Sequence, residues 1–597
     1  MQRVNELLRV GQFRDAHDAL EKIAASHPGF VEAHRLLGGT KLALGDAAGA
    51  ERMLREALAL DPDWVPTLAT LGELLLNGGR HEEAESLLKR AASGNPPYLH
   101  AAFVLARYYN DTQRPSQALE VIAPFVAAGR LSSDLAMQHV AALVALGKQQ
   151  EAVAGYRRIA DAAPGNAAAA QALAVALQAA NQHAEAEQIL RRAVERGTPA
   201  ASLHYLHSRS LVVLGEYTRA EAALQECLRL DSTRADAHDD LARLVWMRTG
   251  DRVQATASFE AALRTHPNDD ALWAAKAAVL QGAGDPRAAY DCLAARIARP
   301  HAPPALLVRA GLAAMEFDSG IALKLAQRAL HTVPADASAR KLEVAALLGV
   351  GDARAALPPC ESLLQRTPDD QYLIALQTTA WRMLGDERYA RLCDYRQWVV
   401  PYQIETPAGW PDLASFLSDL ESSLGQLHDT LRHPLLFQSL RHGTETTGDL
   451  TRSEDTVIRA LFKAFDAPIR DYMARIGHGD DPLQRRNHGS YRFNGGWSVR
   501  LRAQGFHHSH VHPRGWISSA CYIELPESMD DPQNREGILT FAEPGILTTP
   551  ALPLQHEVRP SAGMLVLFPS YFWHGTVPFS DGRTRLTVAF DAVPDHN

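Results

Sequence analysis

A chain of 597 residues is too long for one compact core. Its composition, 46% hydrophobic and 22% charged with a net charge of -9, is globular. Basic runs and basic–aromatic stripes are absent, which argues against nucleic acid as a partner, and no apolar stretch reaches the length of a membrane span.

The first residues, MQRVNELLRVGQFRDAHDAL, carry an amphipathic helical pattern with no signal-peptide core. Prolines then stand at Pro28, Pro62, Pro96, Pro164, Pro267, Pro334 and Pro368, separated by 34, 34, 68, 103, 67 and 34 residues. The missing stations carry other turn-like tetrapeptides: AGRL at 128–131, GTPA at 197–200, DSTR at 231–234 and PHAP at 300–303. About ten residues after a turn comes a small residue: Gly38, Gly72, Ala106, Ala174, Ser208, Ala242 and Ala277. Small residues at one phase let paired helices approach closely. The period of about 34 predicts a helix–turn–helix unit repeated down the chain. The pattern stops near DYRQWVVPYQIETPAGWPDL, where aromatics and prolines rise, so a boundary is expected at about 395–405.

Two helical segments follow, near 411–425 and 453–477. After GHGDDPLQRRNHG come short strand-like stretches divided by Gly, Pro and Asp turns: GSYRFNGGWSVRLRAQG, WISSACYIEL, GILTFAEP, HEVRP, GMLVLFP and TRLTVAFDA. They predict an all-β barrel or jelly roll. Within GFHHSHVHPRGW, His508, His510 and His512 alternate, which on a strand places them on one face. His507 would then face away, toward the surface. His574 lies at the end of an apolar strand in GMLVLFPSYFWHGTVPF, and Arg585 opens the next strand. Imidazole suits iron, copper, nickel and zinc. A histidine pair, a distant histidine and then an arginine is the order required by an iron oxygenase that binds a 2-oxo acid, because an always-charged guanidinium grips a carboxylate in a fork. The five cysteines, Cys227, Cys292, Cys360, Cys393 and Cys521, form no CxxC pair, so reduced thiols and a cytoplasmic location are expected.

The 34-residue array resembles the tetratricopeptide repeat family over roughly residues 1–395, about 11–12 units. The resemblance implies a superhelix with a concave surface for a peptide or protein. HVHP, SSACYIELPE, GILTFAEP, RPSAGMLVLFPSYFWHGTVPF and RTRLTVAFD, with the lead-in HPLLFQSLRHGTETTGDL, resemble the 2OG-Fe(II) oxygenases found beside such repeats, over about 430–592. The two resemblances imply an α + β multidomain chain: an all-α superhelix at 1–395, then a double-stranded β-helix (jelly-roll) domain with flanking helices at 396–597. They also imply Fe(II) and the co-substrate 2-oxoglutarate, with His510 the first ligand, His574 the distal one, Arg585 on the far carboxylate of 2-oxoglutarate and Tyr522 supporting it.

The sequence departs from the wider superfamily at His512, where H-x-D places a carboxylate. His512 is expected as the third ligand, the alternatives being a two-ligand site with His512 behind it or a His508/His510 pair. Arg583 shares a strand face with Arg585 and competes with it. Arg500 and Arg502 precede the histidines and are candidate contacts for the 2-oxo acid or an acidic substrate. Asn494 and Trp497 are candidate pocket residues, and Cys521 belongs in the core. The expected function is a dioxygenase hydroxylating a side chain of a peptide or protein held by the repeats. Its rivals are a small-molecule oxygenase whose repeats recruit partners, and a scaffold with a silent metal-binding barrel.

Overall fold

A computed structural model describes residues 1–9, 11–94, 97–162, 165–197, 200–428, 439–531, 533–580 and 582–595. The turn positions Pro96, Pro164 and 198–199, and residues 433–438 of the lead-in segment, lie outside the described residues. The chain divides into two compact units, Met1–Leu214 and Gly215–Asn597.

The first unit is built from antiparallel helix pairs such as Val31–Ala43 with Ala47–Leu60 and Val65–Asn77 with His81–Ala92. The turns between partners use Gly45 and Gly79 at positive φ, 87° and 78°, a conformation that costs glycine little. The small-residue phase has a direct physical cause. A Cβ at Gly38 would lie 2.7 Å from Cγ of Leu54, and one at Gly72 would lie 2.6 Å from Cγ of Leu88. These positions seat the partner helix, and Ala106 and Ala174 are fully buried at the same phase.

Helix pairs continue in the second unit, through Asp270–Gly282, Pro304–Ala314, Ala337–Gly349 and Gln371–Leu384. Asp318, Asp336, Asp352, Asp370 and Asp386 each cap a helix by accepting from a first-turn N–H. The chain turns to strand at β1 (Val400–Gln403). Leu413–His428 is the helix expected near 411–425, and the single helix expected over 453–477 is two, Thr456–Ala464 and Asp466–Ile476.

The remaining strands are β2 (Leu440–Glu445), β3 (Tyr491–His507), β4 (Ile517–Glu524), β5 (Leu539–Phe541), β6 (His556–Val558), β7 (Met564–Pro569), β8 (His574–Thr576) and β9 (Arg585–Pro594). They form two antiparallel sheets, ordered β1-β7-β4-β9-β3-β2 and β6-β5-β8. β1, β2 and β8 were not among the expected strands: they are short, and their pairing comes from distant segments. The hydrophobic core of this unit runs without a break from the repeat helices (Leu306, Leu342, Leu376) into the sheets (Trp516, Phe541, Phe568, Phe590). Polar bonds cross the same boundary: Trp573 Nε1 donates to Thr379 Oγ1 (3.0 Å) and the Tyr571 hydroxyl to the Leu392 carbonyl (3.1 Å). Among the described residues no helix is long and apolar enough to cross a membrane, and all five cysteines are free.

Candidate metal centre

β3 ends at His507, so the HHSHVH stretch is not one alternating strand. Gln504 (φ 64°) and a register shift against β2 break the alternation just upstream. The outcome corrects the expected facing. His507 turns into the site, its Nδ1 2.9 Å from the Ser439 hydroxyl and its ring stacked on His510 at 5.8 Å. His508 turns out to solvent, its ring edge against Phe506.

His510 and His574 are locked to each other by backbone. Each donates its N–H to the other's carbonyl, at 2.9 and 3.0 Å, in an isolated antiparallel bridge. His512 is fixed by its own N–H to the Ser570 carbonyl, 3.0 Å. The ring nitrogens of His510, His512 and His574 converge, one from each lying within 4.8 Å of the others, with ring centroids 4.3–5.2 Å apart.

The other nitrogen of each ring is taken. His510 Nδ1 donates to the His508 carbonyl (2.8 Å) and His574 Nδ1 to the Phe572 carbonyl (2.9 Å). Since a carbonyl only accepts, both rings carry the proton on Nδ1 and present a bare Nε2. His512 Nδ1 meets Asp591 Oδ1 at 2.8 Å. That carboxylate also accepts from Ser518 Oγ (2.7 Å), which bonds Ser570 Oγ (2.8 Å). Three imidazoles held from behind, lone pairs forward, is how proteins orient metal ligands. The Ser439 hydroxyl lies 3.3 Å from His510 Nε2, a long bond that a stronger partner would displace.

Burial, with neighbouring His512, pushes His510 down to about 3. Burial and the adjacent imidazoles push His574 well below the ordinary histidine value. Both are therefore free bases at neutral pH. At His512 burial again works downward, but the charge and hydrogen bond of Asp591 outweigh it and the net shift is upward. A carboxylate, Asp591, thus stands directly behind the His512 imidazole.

The histidines open into a cavity of about 360 Å³, also lined by Trp497, Val499, Ser519, Tyr522, Thr587 and Arg585. Trp497 stacks on His512, centroids 5.7 Å apart. Arg585 is 2% exposed, forms no ion pair among the described residues, and its Nε has no hydrogen-bond partner. Its guanidinium lies 5.1 Å from the ring centre of fully buried Tyr522, whose hydroxyl meets no acceptor among the described residues. Burial raises the Tyr522 pKa, with Arg585 pulling it back. A buried cation and hydroxyl without acceptors are costly unless an anion completes them. The donor set therefore fits a metal ion with a carboxylate-bearing co-ligand.

The structure does not bring the other candidates here. Arg500 and Arg502 alternate along β3 with Trp497, Val499 and Leu501, so they occupy the opposite face and line no part of the cavity. Arg583 is 61% exposed and pairs with Glu527 at 2.5 Å. Asn494 is exposed and its Nδ2 reaches only the Arg514 carbonyl, at 3.5 Å. Cys521 is in the core. Sequence reading missed Ser439, His507 and Asp591. The signal for Asp591 was present: an acid in the middle of the apolar strand RLTVAFDAVP.

Residues 495–591 match the family model described as "Putative 2OG-Fe(II) oxygenase". Residues 7–75, and 70–130 with 205–270, match two tetratricopeptide repeat models, and 145–227 match that of anaphase-promoting complex, cyclosome, subunit 3. Similar solved structures include a tetratricopeptide repeat protein from Parabacteroides merdae (15% identity, 40% of this chain and 95% of that one, TM-score 0.32). Others are the Cut9–Hcn1 hetero-tetramer of the anaphase-promoting complex (14%, 63% and 95%, 0.28) and yeast Tom70 (15%, 66% and 96%, 0.30). No curated protein matches.

Proposed function

We propose, for a chain that carries tetratricopeptide repeats and at residues 495–591 a domain of the 2OG-Fe(II) oxygenase family, that it is an Fe(II)- and 2-oxoglutarate-dependent dioxygenase. It hydroxylates a side chain of a peptide or protein held by the repeats. The observation that carries this reading is the convergence of three rear-anchored imidazoles in one cavity with a buried arginine that forms no ion pair among the described residues. His510, His512 and His574 would hold the iron, and Arg585 with Tyr522 the far carboxylate of 2-oxoglutarate. When bound, iron with 2-oxoglutarate and O2 supplies the power to put one oxygen atom into a C–H bond, the co-substrate leaving as succinate and CO2.

The chain's own part is positional. The Asp591 carboxylate holds the His512 ring in one tautomer and orientation. The backbone bridge between His510 and His574 fixes the separation of two ligands. Phe568 and Leu539 line the cavity and restrict water, and Trp497 covers the His512 ring. In this reading the two sheets are the halves of a double-stranded β-helix. Labour divides near residue 395, holding by the repeats and chemistry by the strands, and the free cysteines suit a reducing cytoplasm.

One observation favours a second reading. A site with three imidazoles and no carboxylate in the ligand set also suits a metal-binding barrel that performs no turnover. Anaerobic titration of the full chain with Fe(II) and then 2-oxoglutarate, followed by visible absorption, separates the two. A charge-transfer band and, on admitting air, succinate support the oxygenase. Tight Fe(II) binding with neither band nor succinate would sink it.

A further inference from the structure

We propose that His507 responds, through the Ser439 hydroxyl, to metal at His510, and turns from a hydrogen-bond acceptor into a donor at the border of the cavity when metal binds. The switch itself rests only on metal binding; the substrate that would meet the donor rests on the oxygenase reading above.

His507 is a further imidazole at the site and is not one of the three whose nitrogens converge. It is half-buried, and lines both the metal cavity and a larger space beside it of about 1020 Å³, a border it shares with Gly575 and Thr576. Its backbone is fixed: the N–H donates to the Thr576 hydroxyl (2.8 Å), and the residue pairs with Leu440 of β2. Burial, with His510 and Arg585 nearby, pushes its pKa well below the ordinary histidine value, so the ring is neutral. A neutral ring has one nitrogen with a proton and one without. Nδ1 meets the Ser439 hydroxyl at 2.9 Å. Nε2 has no hydrogen-bond partner among the described residues and is the ring's one polar atom left for a ligand. Whether Nε2 donates or accepts is therefore decided at Nδ1, by Ser439.

Ser439 is held in place, its carbonyl accepting from the His508 N–H at 2.9 Å. Among the described residues its hydroxyl meets two nitrogens, His507 Nδ1 at 2.9 Å and His510 Nε2 at 3.3 Å. One hydroxyl proton serves one acceptor. His510 Nε2 is bare, because His510 Nδ1 donates to the His508 carbonyl. Both contacts are hydrogen bonds in only one arrangement: Ser439 donates to His510 Nε2 and accepts from a protonated His507 Nδ1. In the metal-free chain His507 Nε2 is therefore the acceptor. A metal ion takes the His510 Nε2 lone pair and ends that bond. The hydroxyl proton then turns to His507 Nδ1, the nearer of the two nitrogens, and the ring carries its own proton on Nε2. One proton leaves Nδ1 and one joins Nε2 through water at the open border, so the ring stays neutral. Loading thus sets an N–H donor at the border, which suits an acceptor oxygen of the substrate such as an amide carbonyl.

The test uses the full chain with nitrogen-15 in its histidines, sedimented for solid-state NMR. Spectra are recorded without metal and with Zn(II), a diamagnetic ion that takes imidazole ligands. Protonated and bare ring nitrogens resonate apart, and the His507→Gln chain identifies the His507 signals by their loss. The expected result is a proton on Nδ1 without metal and on Nε2 with Zn(II). Ser439→Ala should leave one tautomer in both states, and Ser439→Thr, which keeps the hydroxyl, should retain the change. A His507 tautomer that is the same with and without Zn(II), or a change that persists in Ser439→Ala, overturns the proposal. Unresponsive His510, His512 and His574 signals would overturn the metal centre together with the switch. Responsive ligands beside an unchanged His507 would overturn the switch alone.

Discussion

Replacing Arg585 with methionine removes a cation while keeping most of the side chain's volume. Arg585 is 2% exposed and pairs with no carboxylate among the described residues, its guanidinium lying over the Tyr522 ring. Removing it should leave the apo protein at least as stable, since a buried charge without its partner is itself destabilising. Binding should respond in the opposite sense. A charge-assisted contact to the far carboxylate of 2-oxoglutarate is worth about 1.5–3 kcal/mol, which is about 10- to 150-fold in Kd. Isothermal titration with 2-oxoglutarate on the Fe(II)-loaded chain, beside a thermal melt of the apo chain, reads both effects. Arg583→Ala is the control: its pair with Glu527 is 61% and 62% exposed, worth at most about 1 kcal/mol and away from the cavity. Unchanged 2-oxoglutarate affinity in Arg585→Met, or an apo melt lowered by several degrees, would refute the assignment and make Arg585 a structural residue.

His512→Ala should weaken Fe(II) binding markedly and His512→Asp should retain it; equal affinity in native and Ala chains by competition with a chelating dye would leave a two-histidine site. Asp591→Asn should lower metal affinity by about 10- to 100-fold, as losing the group behind a ligand does. Protons compete with metal for His512, and Asp591 raises that ring above the ordinary 6.5; loading of the native chain is therefore lost as pH falls through the raised value, while His510, held near 3, stays free. Asp591→Asn removes the raising charge, so the His512 ring of the metal-free chain should titrate at lower pH, read by NMR; a titration moving up would contradict the arrangement. A fragment of 400–597 should fold poorly, since it strips Thr379 and Leu392 from Trp573 and Tyr571, whereas 215–597 should fold and bind Fe(II); circular dichroism and metal titration of both fragments check this.

The residues of the site were legible where the chemistry is written locally. A 34-residue spacing of turns needs no tertiary knowledge, because each repeat is one helix pair whose small residue must seat a neighbouring leucine, as Gly38 and Gly72 do. HVHP, the distal His574 and the arginine opening the last strand were likewise visible, since clustered imidazoles and a strand-opening arginine stand out in an apolar text.

Facing and partnership were decided by contacts distant in the chain. Parity assigned His507 outward and His508 inward, but β3 ends at His507 and the segment beyond it does not alternate as a strand, so the two face the other way. Arg583 and Arg585 share parity; what separates them is that β9 enters the sheet at Arg585, leaving Arg583 in solvent beside Glu527. Asp591 became the carboxylate behind His512 because β9 lies between β3 and β4, bringing it across about 80 residues of sequence to Ser518 and the imidazole. The sequence by itself determined the repeat period, the strand texts and the clustering of histidines, all set by neighbours a few residues away. Only the tertiary structure decided which atoms face the cavity and that the last repeats share one core with the sheets, because pairing register and burial are properties of segments that meet only after the chain has folded.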